Sequence, residues 1–215
     1  MGRFLFPRWA NWMPALIFFG ILGPFATAVG AGIWYYGTDK FWSVGYTPQQ
    51  PIDYSHKLHA GDMGMDCRYC HNTVEKSGYA AVPPVQTCMN CHTKVKTDSV
   101  KLLPLREAWA SGQPIEWVRV HNLPDYAYFN HSAHLAAGVG CSTCHGRVDQ
   151  MIRVGQKEPL TMGWCLECHR NPGPNLRDKQ DITKMDWQPN SPDHPAVTAD
   201  GRKVSPPTHC SGCHR

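Results

Sequence analysis

Ten cysteines and twelve histidines stand in this 215-residue chain, and their spacing is the first thing that could do chemistry. The cysteines form five Cys-x-x-Cys pairs, each followed at once by His. They are Cys67 and Cys70 with His71, Cys88 and Cys91 with His92, Cys141 and Cys144 with His145, Cys165 and Cys168 with His169, and Cys210 and Cys213 with His214. With His at 12 of 215 positions, the odds that it follows all five pairs by accident are about 5 in 10 million, and accident is set aside. Two thiols at this spacing reach the two vinyl groups of one porphyrin edge as thioethers, and the adjoining imidazole is held under the iron as proximal ligand. The reading is five covalently bound haem c groups. Zinc ribbons and thioredoxin-like sites also use Cys-x-x-Cys, and zinc is the remaining reading, but neither chemistry calls for His directly after every pair.

A second set of imidazoles is needed on the opposite face of each iron. Tyr54-Ser55-His56-Lys57-Leu58-His59 precedes the first site and Phe129-Asn130-His131-Ser132-Ala133-His134 precedes the third, a repeated aromatic-x-His-x-x-His. Histidines three apart lie on one side of a helical turn but diverge, so one reaches the nearest iron while the other reaches a neighbour. His56, His59, His131 and His134 are therefore expected as distal ligands, with His121, in Trp117-Val118-Arg119-Val120-His121, as the fifth. His194, between Asp193 and Pro195, reads as a loop residue, and His209 is too near Cys210 to turn back on its own haem. Methionine is the rival ligand because a His/Met iron has a higher potential than a bis-His one. Met162, three residues before Cys165, is the best placed, followed by Met151, while Met63, Met65 and Met89 read as apolar filler against porphyrin faces.

Positioning these groups leaves little chain for anything else. One haem per 43 residues (215/5) makes the porphyrins themselves the apolar interior. The expected fold is mostly irregular with short α-helices and essentially no sheet, a class III-like multihaem cytochrome c with a haem-packed core, plus one N-terminal transmembrane helix. The repeat spacing divides the chain into an anchor over 1–40, a first module over 41–125 carrying two sites, and a second over 126–215 carrying three.

From Trp9 to Thr38 no residue carries a formal charge, and this run of thirty is more than the roughly twenty residues that cross a hydrocarbon core as helix. Arg3 and Arg8 precede it, Lys40 follows, and Trp9, Trp12, Trp34, Tyr35 and Tyr36 sit where interfacial aromatics belong. Ala26-Thr27-Ala28 resembles a signal-peptidase site, but the segment is read as a retained anchor. Haem is joined to Cys-x-x-Cys-His outside the cytoplasmic membrane, so the N-terminus is expected inside and the haem domain on the periplasmic side. Gly23, Thr27 and Ala31, with Ala26 and Gly30 beside them, form a smooth stripe for a partner helix, and Pro14 and Pro24 predict a local kink.

The formal charge of +4 omits the cofactors. Each oxidised haem with two propionates adds about −1, bringing the loaded protein to roughly −1. The basic balance is thus no argument for nucleic acid, and no basic run, phosphate-cradling loop or Ser/His/Asp pattern is present to suggest another chemistry.

Trp117 to His121, Leu123-Pro124-Asp125-Tyr126-Ala127-Tyr128-Phe129-Asn130-His131, Cys141-Ser142-Thr143-Cys144-His145-Gly146 and Met162-Gly163-Trp164-Cys165-Leu166-Glu167-Cys168-His169-Arg170 together resemble the pentahaem membrane-anchored cytochrome c subunit of alternative complex III. The resemblance runs from about Tyr54 to Arg215. It implies a complex in which an integral membrane subunit oxidises quinol and an iron-sulfur subunit receives the electrons. The pentahaem subunit then hands them to a periplasmic monohaem cytochrome c or a blue-copper acceptor. It also implies a mixture of bis-His and His/Met haems, which keeps Met162 in play. A small anchored quinol dehydrogenase and a multihaem reductase with one open iron are the alternatives. The first usually has four sites, and a Lys in place of a proximal His, which would hint at the second, is absent.

Overall fold

The computed structural model describes residues 6–38, 43–188, 195–198 and 200–215; Arg3, Lys40 and His194 fall outside them. Two compact units are resolved, Met1–Ser43 and Val44–Arg215.

In the first unit the uncharged run is helical from Arg8 to Gly37, with a mean hydropathy of 2.0 and no part of it buried. Its turns are not uniform. A tight turn over Arg8–Trp12 leads into an α-helical turn at Met13–Ile17, a wide turn at Phe18–Leu22 and an α-helix over Gly23–Gly37. The wide turn lies directly before Pro24, which has no N–H and whose ring would press on the carbonyl four residues back, so widening that turn relieves the crowding. The Thr27 hydroxyl donates to the Gly23 carbonyl at 3.0 Å, a back-bond within the same region. By length and composition this helix suffices to cross a membrane.

The second unit is built of short helices and connecting loops. Among the described residues there is no strand, only isolated bridges joining Ala127 to His214, Val139 to Leu176 and Val197 to Lys203. Each helix has a local reason to start and stop. The Asp66 carboxylate caps Cys67–Cys70 by accepting from the Arg68 N–H at 2.8 Å. The Thr161 hydroxyl caps Met162–Arg170 by accepting from the Trp164 N–H at 3.2 Å. Asn130 caps His131–Ala137, its side-chain oxygen accepting from the Ala133 N–H at 3.3 Å. That helix ends at Gly138, φ 96°, where the Gly138 N–H donates to Leu135 and the Val139 N–H to His134, both at 3.0 Å. This paired arrangement satisfies two carbonyls that would otherwise be orphaned. Asn130→Ala is expected to cost about 1 kcal/mol, read as a lowered unfolding midpoint with the haem content unchanged.

Buried apolar side chains are few. Ile52, Met89 and Leu105 form one cluster, flanked by Val85, Cys88, Leu102, Ile115 and Trp117, and Leu135, Leu176 and Ile182 are the other buried hydrophobics. Tyr79, Val82, Val100 and Tyr126 are meanwhile exposed. Six buried hydrophobic side chains among the described residues cannot by themselves offset the ordering entropy of so many loops. The apolar interior this fold requires must come from something other than side chains.

Candidate functional site

Four of the five thiol segments lie on helical turns, Cys67–Cys70, Val85–His92, Cys141–His145 and Met162–Arg170, and the fifth on the tight turn Cys210–Gly212. Helical spacing puts cysteines three apart on one face, as two neighbouring bonds to one flat ring demand. The backbone also folds each following His under the turn: the His71 N–H donates to Cys67 and the His214 N–H to Cys210, both at 2.9 Å. All ten thiols are unpaired.

Seven imidazoles share one device. The Nδ1 of His71 lies 2.8 Å from the Ala81 carbonyl, that of His92 3.0 Å from Val95, that of His169 2.7 Å from Pro207 and that of His214 3.1 Å from Tyr126. Among the expected distal residues, the Nδ1 of His59 meets Ser55 at 2.9 Å, that of His131 meets Gly78 at 2.9 Å and that of His134 meets Asn130 at 2.7 Å. A carbonyl can only accept, so Nδ1 carries the proton and donates, and Nε2 is left with its lone pair for a metal. Burial reinforces the neutral form. It pushes His56 down to about 4, with His71 and then His59 adding to the effect. It pushes His145 down to about 3, helped by His121, His131, His71 and His56. His134 and His121 are also lowered, again mainly by burial.

The imidazoles face one another in pairs. Ring centroids are 6.3 Å apart for His59 and His92, 6.1 Å for His134 and His169, and 6.5 Å for His131 and His145. A metal–imidazole bond of about 2.0 Å, plus about 1.15 Å from nitrogen to ring centre, doubled across one iron, gives about 6.3 Å. The three separations are those of rings flanking a single metal. Among the imidazoles around His56, His71 acts on it most strongly, and the buried Nδ1 of His56 has no protein partner.

His121 is placed differently. Its ring meets that of His145 edge-on at 4.5 Å, too close for an iron between them, and its buried Nε2 has no partner. Met162 opens its helix and is 65 % exposed, whereas Met89 belongs to the small apolar cluster. His209 is exposed.

The duplicated motif arranges its rings alike in both copies, although the first lies on a wide turn over Lys57–Asp62 and the second on the α-helix His131–Ala137. Tyr54 stacks on His59 at 4.5 Å and meets His56 edge-on at 4.7 Å, while Phe129 stacks on His134 at 4.4 Å and meets His131 edge-on at 4.7 Å. These two aromatics wedge the paired imidazoles apart. The motif displays them in the sequence, although only its histidines carry an obvious chemical meaning. Arg177, which packs on the third thiol segment, and Trp187, which packs on Arg177, have no such local signal.

The thiol segments do not adjoin in chain order. Cys70 has Cys88 and Cys91 as neighbours, Cys67 and Cys141 are in side-chain contact, Cys144 neighbours Cys165 and Cys168, and Cys165 neighbours Cys213. The spatial order is thus second, first, third, fourth, fifth.

Unprotonated Nε2 atoms, paired rings at metal-spanning distance, an unpartnered buried imidazole nitrogen and the sparse side-chain core all fit haem. Comparison with known proteins agrees. The chain is 36 % identical over 144 residues, 57 % of its own length and 69 % of the other's, to the menaquinone reductase multihaem cytochrome c subunit of Nitratidesulfovibrio vulgaris (Hildenborough). The sequence profile of cytochrome c7 and related cytochrome c matches residues 52–104 and 127–215. With the profile covering well over half of its residues, the chain belongs to the family of cytochrome c7 and related c-type cytochromes.

Proposed function

We propose that the protein is a membrane-anchored pentahaem cytochrome c that relays electrons between the quinone-reactive part of a membrane complex and an extracytoplasmic redox partner. The observation that carries this reading is the set of imidazole pairs at 6.1 to 6.5 Å. An iron held from both sides has no position for a substrate, and a chain of such irons can only pass electrons. Bound haem supplies a one-electron ferric–ferrous couple.

The chain's residues do the remainder. The ten cysteines of the five segments would hold five porphyrins, with His71, His92, His145, His169 and His214 as iron ligands. His56 would be the second imidazole for the site of His71, His59 for that of His92, His131 for that of His145 and His134 for that of His169. With the position across from His145 taken by His131, the unpartnered Nε2 of His121 is left for another iron. His121, beside His145 at the third segment, and Met162, at the head of the fourth, are the two remaining candidates for a fifth distal ligand. Backbone carbonyls hold seven of the rings, and the order of the thiol segments sets the route: Cys88/Cys91, Cys67/Cys70, Cys141/Cys144, Cys165/Cys168, Cys210/Cys213.

The helix over Arg8–Gly37 serves as a single-pass anchor in the cytoplasmic membrane, with Val44–Arg215 on the periplasmic side, since haem attachment takes place there. The resemblance to the alternative complex III subunit supports an integral quinol-oxidising subunit and an iron-sulfur donor as partners. A periplasmic monohaem cytochrome c or blue-copper protein is then the acceptor. The relative from Nitratidesulfovibrio vulgaris favours a second reading in which the same route runs the other way, toward menaquinone.

Low-temperature EPR with a redox titration of the detergent-solubilised chain tests the relay. Five low-spin ferric signals, indifferent to nitrite and cyanide, are the expected result. A stoichiometric high-spin signal that shifts when either is added would overturn it and make one haem a catalytic centre.

A further inference from the structure

Arg177 is a cation in an unusual place. It is 7 % exposed, and its Nε is buried without a hydrogen-bond partner. Its Nη1 donates to the Ser142 hydroxyl at 3.3 Å and to the Lys184 carbonyl at 3.1 Å, and its Nη2 donates to the Thr143 hydroxyl at 3.2 Å. Ser142 and Thr143 are the two residues between Cys141 and Cys144. The guanidinium is closed from the other side by the Trp187 ring, 4.2 Å from its carbon. A Cβ at Gly140 would run into the guanidinium, so the absence of a side chain there is what admits it.

All these partners are neutral. No carboxylate among the described residues forms an ion pair with Arg177; its acidic influences are Cys141, then Asp181, then Cys144. A buried charge without a counter-ion is costly, and arginine does not escape the cost by losing its proton. Gly140 makes room for the guanidinium and Gly138 for the Arg177 backbone carbonyl, and the charge is held by Ser142 and Thr143 of one thiol segment and by Trp187. That segment is also where Cys141 meets Cys67, the seam between the two repeats.

We propose that Arg177 is a fixed positive charge that raises the reduction potential of the haem bound by Cys141 and Cys144, at the seam through which electrons pass from one repeat to the other. This rests on reading Cys141-Ser142-Thr143-Cys144-His145 as a haem site. The step it tunes is the one-electron reduction of ferric to ferrous iron by the adjoining haem, with no bond made or broken and no proton moved. Reduction removes one positive charge beside a cation held in a low-dielectric setting, so the cation favours the ferrous form.

The test is spectroelectrochemical titration of the full-length, detergent-solubilised holoprotein with three substitutions. Arg177→Gln removes the charge and Arg177→Lys keeps it. Ser142→Asp leaves the arginine in place but sets a carboxylate where the Nη1 donates, neutralising it without opening a cavity. In Arg177→Gln and Ser142→Asp, one of the five midpoints is expected to fall by a tenfold change in its reduction equilibrium, about 59 mV for one electron. Arg177→Lys should stay within threefold of the parent. EPR should show all five haems still low-spin, which separates a charge effect from a lost ligand. If Arg177→Gln fails to load its haems, Ser142→Asp decides alone. Five unmoved midpoints in Ser142→Asp, or Arg177→Lys falling as far as Arg177→Gln, would overturn the proposal. An intact mass of the parent with Cys141 and Cys144 unmodified would instead remove the haem site on which it rests.

Discussion

His134→Met is expected to raise the midpoint potential of one haem by roughly 0.1–0.2 V, a fraction of the ~0.8 V over which axial ligands set haem potentials, and to leave the other four in place. The His134 ring stands 6.1 Å from that of His169, with its Nδ1 tied to the Asn130 carbonyl. Imidazole is the stronger donor and stabilises ferric iron; the thioether of methionine does so less, and the potential rises. The helix tolerates the change, since methionine is among the better helix formers and Phe129 offers an aromatic face for its sulfur. Redox titration followed by EPR reads both consequences, a single shifted midpoint and a new low-spin signal of His/Met type. If all five midpoints stay where they were, His134 is not an axial ligand. If the haem becomes high-spin, the sulfur has failed to replace the nitrogen, and His134→Ala should give the same spectrum.

The largest loss of stability from a single methyl group is expected at Gly138. It has φ 96°, a conformation open to glycine but strained for alanine, and a Cβ there would lie 2.6 Å from the Arg177 carbonyl oxygen. Two penalties meet at one atom, left-handed strain and a backbone collision, and together they come to about 3 kcal/mol. The collision cannot be avoided by a side-chain rotation, because the Arg177 N–H in turn donates to the Gly138 carbonyl at 2.9 Å. For a unit of this size the midpoint of thermal unfolding should fall by roughly 6–12 °C. Gly112 is the control. It has φ 70° with open space around it, so Gly112→Ala carries the strain alone, about 1 kcal/mol. Equal losses at the two glycines would show that the contact with Arg177 contributes nothing.

The parts of this molecule that were legible in its sequence are those in which chemistry dictates residue type. A thioether needs cysteine and a haem iron needs imidazole, so the Cys-x-x-Cys-His segments and the paired histidines of the repeat are written in letters that have few other uses. The absence of strands among the described residues and the shortness of the helices followed from how little chain separates one segment from the next. Other parts were hidden for physical reasons. The groups that orient the imidazoles are backbone carbonyls, of Ala81, Val95, Gly78 and Pro207 among others, and any residue type supplies a carbonyl. The adjacency of Cys67 and Cys141 depends on how two repeats pack, which no local pattern records. Arg177 carries no local signal, because the space for its backbone and its guanidinium is made by Gly138 and Gly140, far from it in sequence. His121 lay in a promising setting, but its edge-on contact with His145 is a tertiary fact. The wide turn before Pro24 refines the expected local kink, because the backbone can absorb a proline by loosening the preceding turn.

The start of the His131–Ala137 helix rests on a loop some fifty residues upstream. The His131 N–H donates to Gly78 at 3.3 Å and the Ser132 N–H to Ser77 at 3.2 Å, and the His131 Nδ1 uses the Gly78 carbonyl as well. The loop makes no such demand in return. It is closed by Thr73, whose carbonyl accepts from the Ser77 N–H at 2.8 Å and whose hydroxyl donates to Tyr79 at 2.8 Å and accepts from the Ala81 N–H at 2.9 Å. The opposite contact exists as well: at the turn that carries His56 and His59, the Lys57 N–H donates to the Met151 carbonyl of the later repeat at 2.9 Å. Each repeat thus borrows a carbonyl from the other to set the turn that bears its paired histidines, so neither is complete when the ribosome has delivered only the first, and the two must close on each other.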